Sequence, residues 1–220
     1  MAALILSIVP LAIGAAISPI LFGIEILALS AATRPRLRAW LVVLGALSVL
    51  LAFGTAGLLV GHALPHRRPH HQLDATIDLL AAGALIGVAL HTLRSSRSAA
   101  PRPTILDRLQ GASTGAYLGA GVLGMLTNVS TLVLFVPALR MITKSTAGGG
   151  AQAAAAVVLL GITLLPVIVP ALIVTLLGDR ANPALSALSR TLSSHSAQIT
   201  IGIELVFAAL LLARGLTTLA

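Results

Sequence analysis

Two carboxylic acids sit deep inside apolar stretches of this chain, Glu25 and Glu204, and each has hydroxyl residues at helical spacing beside it. On a helix Ser18, Phe22 and Glu25 fall on one face, and so do Ser196, Thr200 and Glu204. A carboxyl among hydroxyls in an apolar setting can bind a cation, carry a proton through a cycle, or accept hydrogen bonds from sugar hydroxyls. Each acid could instead satisfy backbone groups or pair with a base for structural reasons. The cost of a charge in hydrocarbon tilts the reading toward function. A third polar group, Thr127, Asn128, Ser130 and Thr131, lies inside another apolar stretch. It either lines a cavity or joins helices by hydrogen bonds.

Other constellations say less. His66, His70, His71, Asp74 and Asp78 cluster around one loop, and imidazole with carboxylates suits several transition metals. Arg67 and Arg68 in that loop repel a cation, so the run reads as a solvated linker and no metal site is expected. Asp78 remains a candidate polar contact in a cavity. No Gly-Lys-Ser phosphate loop is present, so ATP hydrolysis is not expected. No nucleophile and base can be paired, so neither an enzyme nor a bound cofactor is expected. The chain has no cysteine, which excludes disulfides and thiol chemistry.

The elements that position these residues are apolar helices. The chain of 220 residues is 57% hydrophobic and 9% charged, with a mean hydropathy of +1.03, the composition of an integral membrane protein. Hydropathy predicts an all-α, polytopic fold with six transmembrane helices at about 2–32, 39–62, 73–93, 113–140, 151–177 and 197–217. Residues 2–32 lack a basic leader and a small-residue cleavage site, and read as a retained span. The net charge of +8 is spread over short loops, which fits orientation charges and lipid contacts, not nucleic acid. Connections one, three and five carry Arg34, Arg36, Arg38, Arg94, Arg97, Arg102, Arg108, Arg180 and Arg190. The other side has only Arg67, Arg68, Arg140, Lys144 and Arg214, so the first group is expected in the cytoplasm and both termini outside. In connection five, Leu185, Leu188 and Leu192 predict a short interfacial amphipathic piece.

The first span is interrupted at Ser18-Pro19, because proline removes a backbone donor and leaves carbonyls near Ala15 and Ala16 without their usual partners. In lipid such groups must be satisfied by protein or water, so a broken helix at mid-depth lines a buried cavity. Thr127-Asn128 stands at the matching place of the second half. The chain therefore divides into 1–110 and 111–220, and an odd number of spans per half makes the two repeats inverted. Interrupted helices at corresponding places of inverted repeats are the best sequence pointer to a transporter's substrate site. Pro166 and Pro170 are expected to break the fifth span. Gly57 with Gly61, Gly83 with Gly87, and Gly115 with Gly119 have close-packing spacing and suggest a homodimer.

The Ala16-Ile17-Ser18-Pro19-Ile20 stretch, the basic Arg34-Pro35-Arg36 connection and the six-span layout with a long third connection resemble the mycobacterial GAP family. Its members are glycolipid- or peptidoglycolipid-addressing proteins, including the sulfolipid-addressing type, grouped within the lysine exporter (LysE) superfamily. The resemblance implies two inverted three-helix repeats in the plasma membrane and a cell-envelope glycolipid or lipid precursor as cargo. On this reading Ser18, Pro19, Phe22, Glu25, Asp78, Thr127, Asn128, Thr131, Thr200 and Glu204 bind substrate. Arg34, Arg36, Arg38 and Arg94 hold its anionic headgroup. The alternatives are an exporter of a small solute, such as a basic amino acid or divalent cation, and a non-transporting scaffold for envelope lipid assembly.

Overall fold

Residues 2–30, 33–63, 71–95, 112–178, 198, 201–213 and 215–217 are described by the computed structural model of the chain, without the side chains of 58–63, 71–75, 77 and 95. Among them all regular structure is helical. In order these are α1 (Ala2–Ala16), α2 (Pro19–Leu29), α3 (Pro35–Ala63), α4 (His71–Ser95), α5 (Ala116–Thr127), α6 (Val129–Lys144) and α7 (Gly149–Leu177). A last helix, α8, covers residues 201–213.

Both interruptions form, and local chemistry sets their place. Pro19 cannot donate to Ala15 and forces the preceding residue out of the helical region. Ser18 is accordingly extended, at φ −132° and ψ 92°. Its hydroxyl then caps α2 by accepting a hydrogen bond from Leu21 N at 3.2 Å, with Pro19 at a position where proline is favoured. The axes of α1 and α2 meet at 61°. In the second half Asn128, at φ −84° and ψ 74°, ends α5 and caps α6, its Oδ1 accepting from Thr131 N at 3.5 Å. That bend is 71°.

The fifth expected span differs. Pro166 and Pro170 do not break it, and α7 runs unbroken for 29 residues. Four residues apart, the two prolines fall on one side of the helix, so the opposite side keeps its hydrogen-bond ladder. By length and composition α3 and α7 each suffice to cross a membrane, and each bent pair suffices when taken as one span. That makes two crossings among the described residues, or four with the pairs counted.

Helix packing follows a pattern of exchanges. α3 lies on α5, and α7 on α1; α1 lies on α6, and α2 on α5; α2 lies on α3, and α6 on α7; α3 lies on α6, and α7 on α2. Swapping α1 with α5, α2 with α6 and α3 with α7 turns each of these contacts into its partner, although the contact of α5 with α6 has no comparable twin between α1 and α2. The closest approach, α3 on α5, is made by glycines that spacing did not single out. A Cβ on Gly45 would strike the Leu118 carbonyl oxygen, and one on Gly121 that of Val42. Of the glycines expected to pack, Gly57 receives the Leu139 side chain, whereas Gly83, Gly87, Gly115 and Gly119 have nothing within 4 Å among the described residues.

At one end of the bundle the start of α3 meets the start of α5 and the end of α7. Arg38 donates from Nη2 to Thr33 Oγ1 at 2.9 Å and to the Ala112 carbonyl at 3.4 Å. Its guanidinium lies 4.9 Å from the Tyr117 ring centroid. Trp40 Nε1 donates to Thr175 Oγ1 at 3.2 Å, and Arg36 Nη2 lies beside Gly178, which ends α7 at φ 58°.

Candidate functional site

The two interruptions cross inside the bundle. Ala15 O, left without a donor by Pro19, accepts a hydrogen bond from Thr131 Oγ1 at 2.7 Å, across 116 residues of sequence. The same Thr131 oxygen accepts from Asn128 Nδ2 at 2.6 Å, so the amide that ends one broken helix orients the hydroxyl that repairs the other. Packing around the crossing is reciprocal. Gly14, four residues before Ser18, admits the Leu134 side chain, which lies six residues after Asn128. Gly124, four residues before Asn128, admits Ile24, six residues after Ser18. Phe207 from α8 also presses on Gly14.

Two buried acids flank the crossing and are treated differently. Glu204 on α8 is 2% exposed, and its Oε1 accepts from Ser130 Oγ at 2.6 Å while Oε2 is buried without a hydrogen bond. Ser130 lies two residues past Asn128, so this acid stands at the level of the breaks. Glu25 on α2 is 0% exposed, and neither carboxylate oxygen has a hydrogen-bond partner among the described residues. At a rise of about 1.5 Å per residue, its seven-residue separation from Ser18 puts it roughly 10 Å from the break, toward the end where the arginines gather.

Other expected site residues divide as follows. Ser18, Asn128 and Thr131 are buried at the crossing, and Phe22 is buried on α2 beside Pro19 and Glu25 in sequence. Thr127 is not part of it: the residue is exposed, and its hydroxyl donates back to Leu123 O at 2.8 Å within its own helix. Helical spacing does not fix the side on which a residue just before a break ends up. Asp78 is buried on α4, which packs on α6. Thr200 and Ser196 lie outside the described residues, as do His66 and His70, and the side chains of His71 and Asp74. Among the described residues no three metal-binding side chains come together.

Of the expected headgroup arginines, Arg34, Arg36 and Arg94 are exposed. Arg38 is half-buried and spends its guanidinium on Thr33, Ala112 and Tyr117, tying connection one to the start of α5. Its chemistry is that of a strut. Two contributors were not singled out from sequence. Ser130 was noted only within its polar patch, because nothing local ties it to a helix 74 residues away. Thr163, 2% exposed on α7 with no hydrogen bond to its hydroxyl, gives no sequence signal beyond being a threonine in an apolar span.

Taken together the arrangement is a polar seam through an apolar bundle: two helix ends, two carboxyls and several hydroxyls enclosed by aliphatic side chains, with cationic side chains at one end. The family model described as Sap, sulfolipid-1-addressing protein, matches residues 8–217. No curated protein and no solved structure matches the chain.

Proposed function

The chain belongs to the sulfolipid-1-addressing protein family, and on that premise we propose that it is a small secondary transporter or flippase for an anionic cell-envelope glycolipid or its precursor. It spans the plasma membrane six times, as two inverted three-helix repeats. The observation that carries the reading is the crossing itself, where Thr131 Oγ1 meets Ala15 O. Broken helices brought together inside an apolar bundle offer free backbone groups and hydroxyls where a polar headgroup must pass. The exchange pattern of helix contacts supports the repeat, because an inverted duplicate alternates by rocking one set of contacts against its twin.

Arg34, Arg36 and Arg94 gather the anionic headgroup at the cytoplasmic face, each contributing about 1 kcal/mol near a lipid surface. The polar seam, with Ser18, Asn128 and Glu204, then offers hydrogen bonds to replace water along the path. The acyl chains stay in the bilayer beside the protein. Open glycines on α4 and α5 leave room for pairing as a homodimer.

The test is reconstitution of the full chain into phosphatidylglycerol-containing vesicles with a fluorescent sulfated glycolipid, following its movement between leaflets. Native protein should accelerate that movement at least tenfold over empty vesicles. Thr131→Val and Glu204→Gln should slow it, and Arg36→Gln with Arg94→Gln should weaken the preference for an anionic headgroup. Movement no faster than in empty vesicles, with the cellular role retained in these variants, would favour a scaffold.

A further inference from the structure

Within the transport reading, on which this inference rests, we infer that Glu25 is the proton-carrying site that couples the protein to a transmembrane pH difference, and that Glu204 is not. Three observations carry it.

First, the two acids differ in their surroundings. Glu204 is held by the Ser130 hydroxyl, whereas both oxygens of Glu25 are buried with no donor among the described residues. A group retained for structure would be expected to satisfy something, and Glu25 satisfies nothing.

Second, the molecule contains its own control. Glu25 lies seven residues after the capping Ser18, and the residue seven after the capping Asn128 is Phe135, 1% exposed. The neighbouring positions do the same work in both halves, Ile24 on Gly124 and Leu134 on Gly14. The packing role at this place is thus met by an apolar side chain, and the carboxyl of Glu25 adds chemistry that the architecture does not need.

Third, the choice of ligand follows from what surrounds it. A metal cation would need several oxygen ligands, and no three metal-binding side chains gather among the described residues. Among α1 to α7, the helices packed on α2 are chiefly α3, α5 and α7. Their ionisable residues are Arg36, Arg38 and His62 on α3 and Tyr117 on α5, while α7 has none. Arg38 and Tyr117 are engaged with each other, Arg36 is exposed beside Gly178, and His62 stands at the far end of α3. Among the described side chains none donates to Glu25. A lone carboxyl can take one proton on one oxygen and release it, with no other ligand required. In each cycle the carboxylate gains a proton from the outer side and returns it to the cytoplasm as one lipid leaves.

The test uses the full chain in phosphatidylglycerol vesicles loaded with a pH-sensitive dye, with the fluorescent sulfated glycolipid as probe. The native rate of lipid movement should be several-fold higher with an imposed pH difference than without. In Glu25→Gln that ratio should fall to one, while Glu25→Asp and Glu204→Gln keep a ratio above one. A ratio retained in Glu25→Gln, or absent in the native protein that still moves lipid, overturns the inference and leaves the transport reading standing. Failure of the native protein to move lipid counts against the transport reading itself. A second measurement needs no cargo. Infrared difference spectra across a pH step should show a carboxyl C=O band that Glu25→Gln lacks, and a spectrum unchanged by the substitution overturns the inference whatever the lipid assay gives.

Discussion

The first interruption, at Ser18, and the second, at Asn128, have nearly the same geometry and different chemistry. Each is made by a polar residue that caps the following helix, with a glycine four residues earlier that admits an aliphatic side chain from the other half. The bends, 61° and 71°, are alike. Yet the first carries a proline and an acid, and the second an amide, two hydroxyls and a phenylalanine in the acid's place. The shared features are those that hold a bent helix pair in an apolar bundle. The features that differ are complementary: the first half lacks a donor at Ala15 O, and the second supplies one from Thr131. Two similar breaks thus divide into an acceptor side and a donor side, and the hydroxyl beside one serves the carbonyl freed by the other.

The strongest way to break this comparison is to exchange the residues at the seventh position. Phe135→Glu should cost about 3 kcal/mol or more, since it places a second unpartnered carboxylate in the apolar interior. Glu25→Leu should leave stability unchanged or raise it, because an unpaired buried polar group is replaced by an apolar one where the twin position already has phenylalanine. Unfolding of the full chain in detergent, followed by circular dichroism, checks both. A large loss of stability in Glu25→Leu would show that the acid is structural after all.

Sequence reading reached a good part of this. Ser18-Pro19 was legible because proline deletes a specific hydrogen bond, and Thr127-Asn128 because a polar patch in an apolar run stands out. The acids were legible because a charge in hydrocarbon demands a reason. The unbroken course of α7 was not, since a proline's local cost is the same whether or not neighbouring helices hold the chain straight. Gly45 and Gly121 escape sequence reading because close approach depends on which helices meet, and a four-residue glycine spacing within one helix does not say. The pairing of Ser130 with Glu204 was missed for the same reason. What sequence carries is the local defect; what completes it comes from the opposite half.

A second prediction addresses that completion. Thr131→Val keeps the side chain's shape and removes the hydroxyl that serves Ala15 O, leaving a buried carbonyl unpaired at a cost of about 2 kcal/mol. Pro19→Ala restores a backbone N–H at the position from which Ala15 O would normally be served. The double variant should therefore lose less than the sum of the two single losses, a coupling that a double-mutant cycle measures directly. Strict additivity would mean that Thr131 repairs nothing.

The two glycines sharpen the comparison next. A methyl at Gly14 meets the Phe207 ring of α8 as well as Leu134, and a rigid ring has fewer ways to yield than an aliphatic end. A methyl at Gly124 meets the ends of Ile24 and Leu21, which can change rotamer. Gly14→Ala should thus cost about 1–3 kcal/mol and Gly124→Ala less than about 1.5 kcal/mol. Equal losses would show that α8 does not bear on the first break.

The smallest effect is expected at the caps, and it separates geometry from function most cleanly. Ser18→Ala removes the acceptor for Leu21 N and should cost about 1 kcal/mol, while Ser18→Asn, which can cap equally well, should restore most of it. Asn128→Ala loses the equivalent cap and also the Nδ2 bond that aims Thr131 at Ala15 O, so its loss should exceed that of Ser18→Ala. Asn128→Ser tests the difference, because serine can cap α6 but cannot donate to Thr131 from the same place. If Asn128→Ser recovers stability as fully as Ser18→Asn does, the second break is only a cap. If it recovers the cap and not the remainder, the amide of Asn128 is what fastens the donor half to the acceptor half.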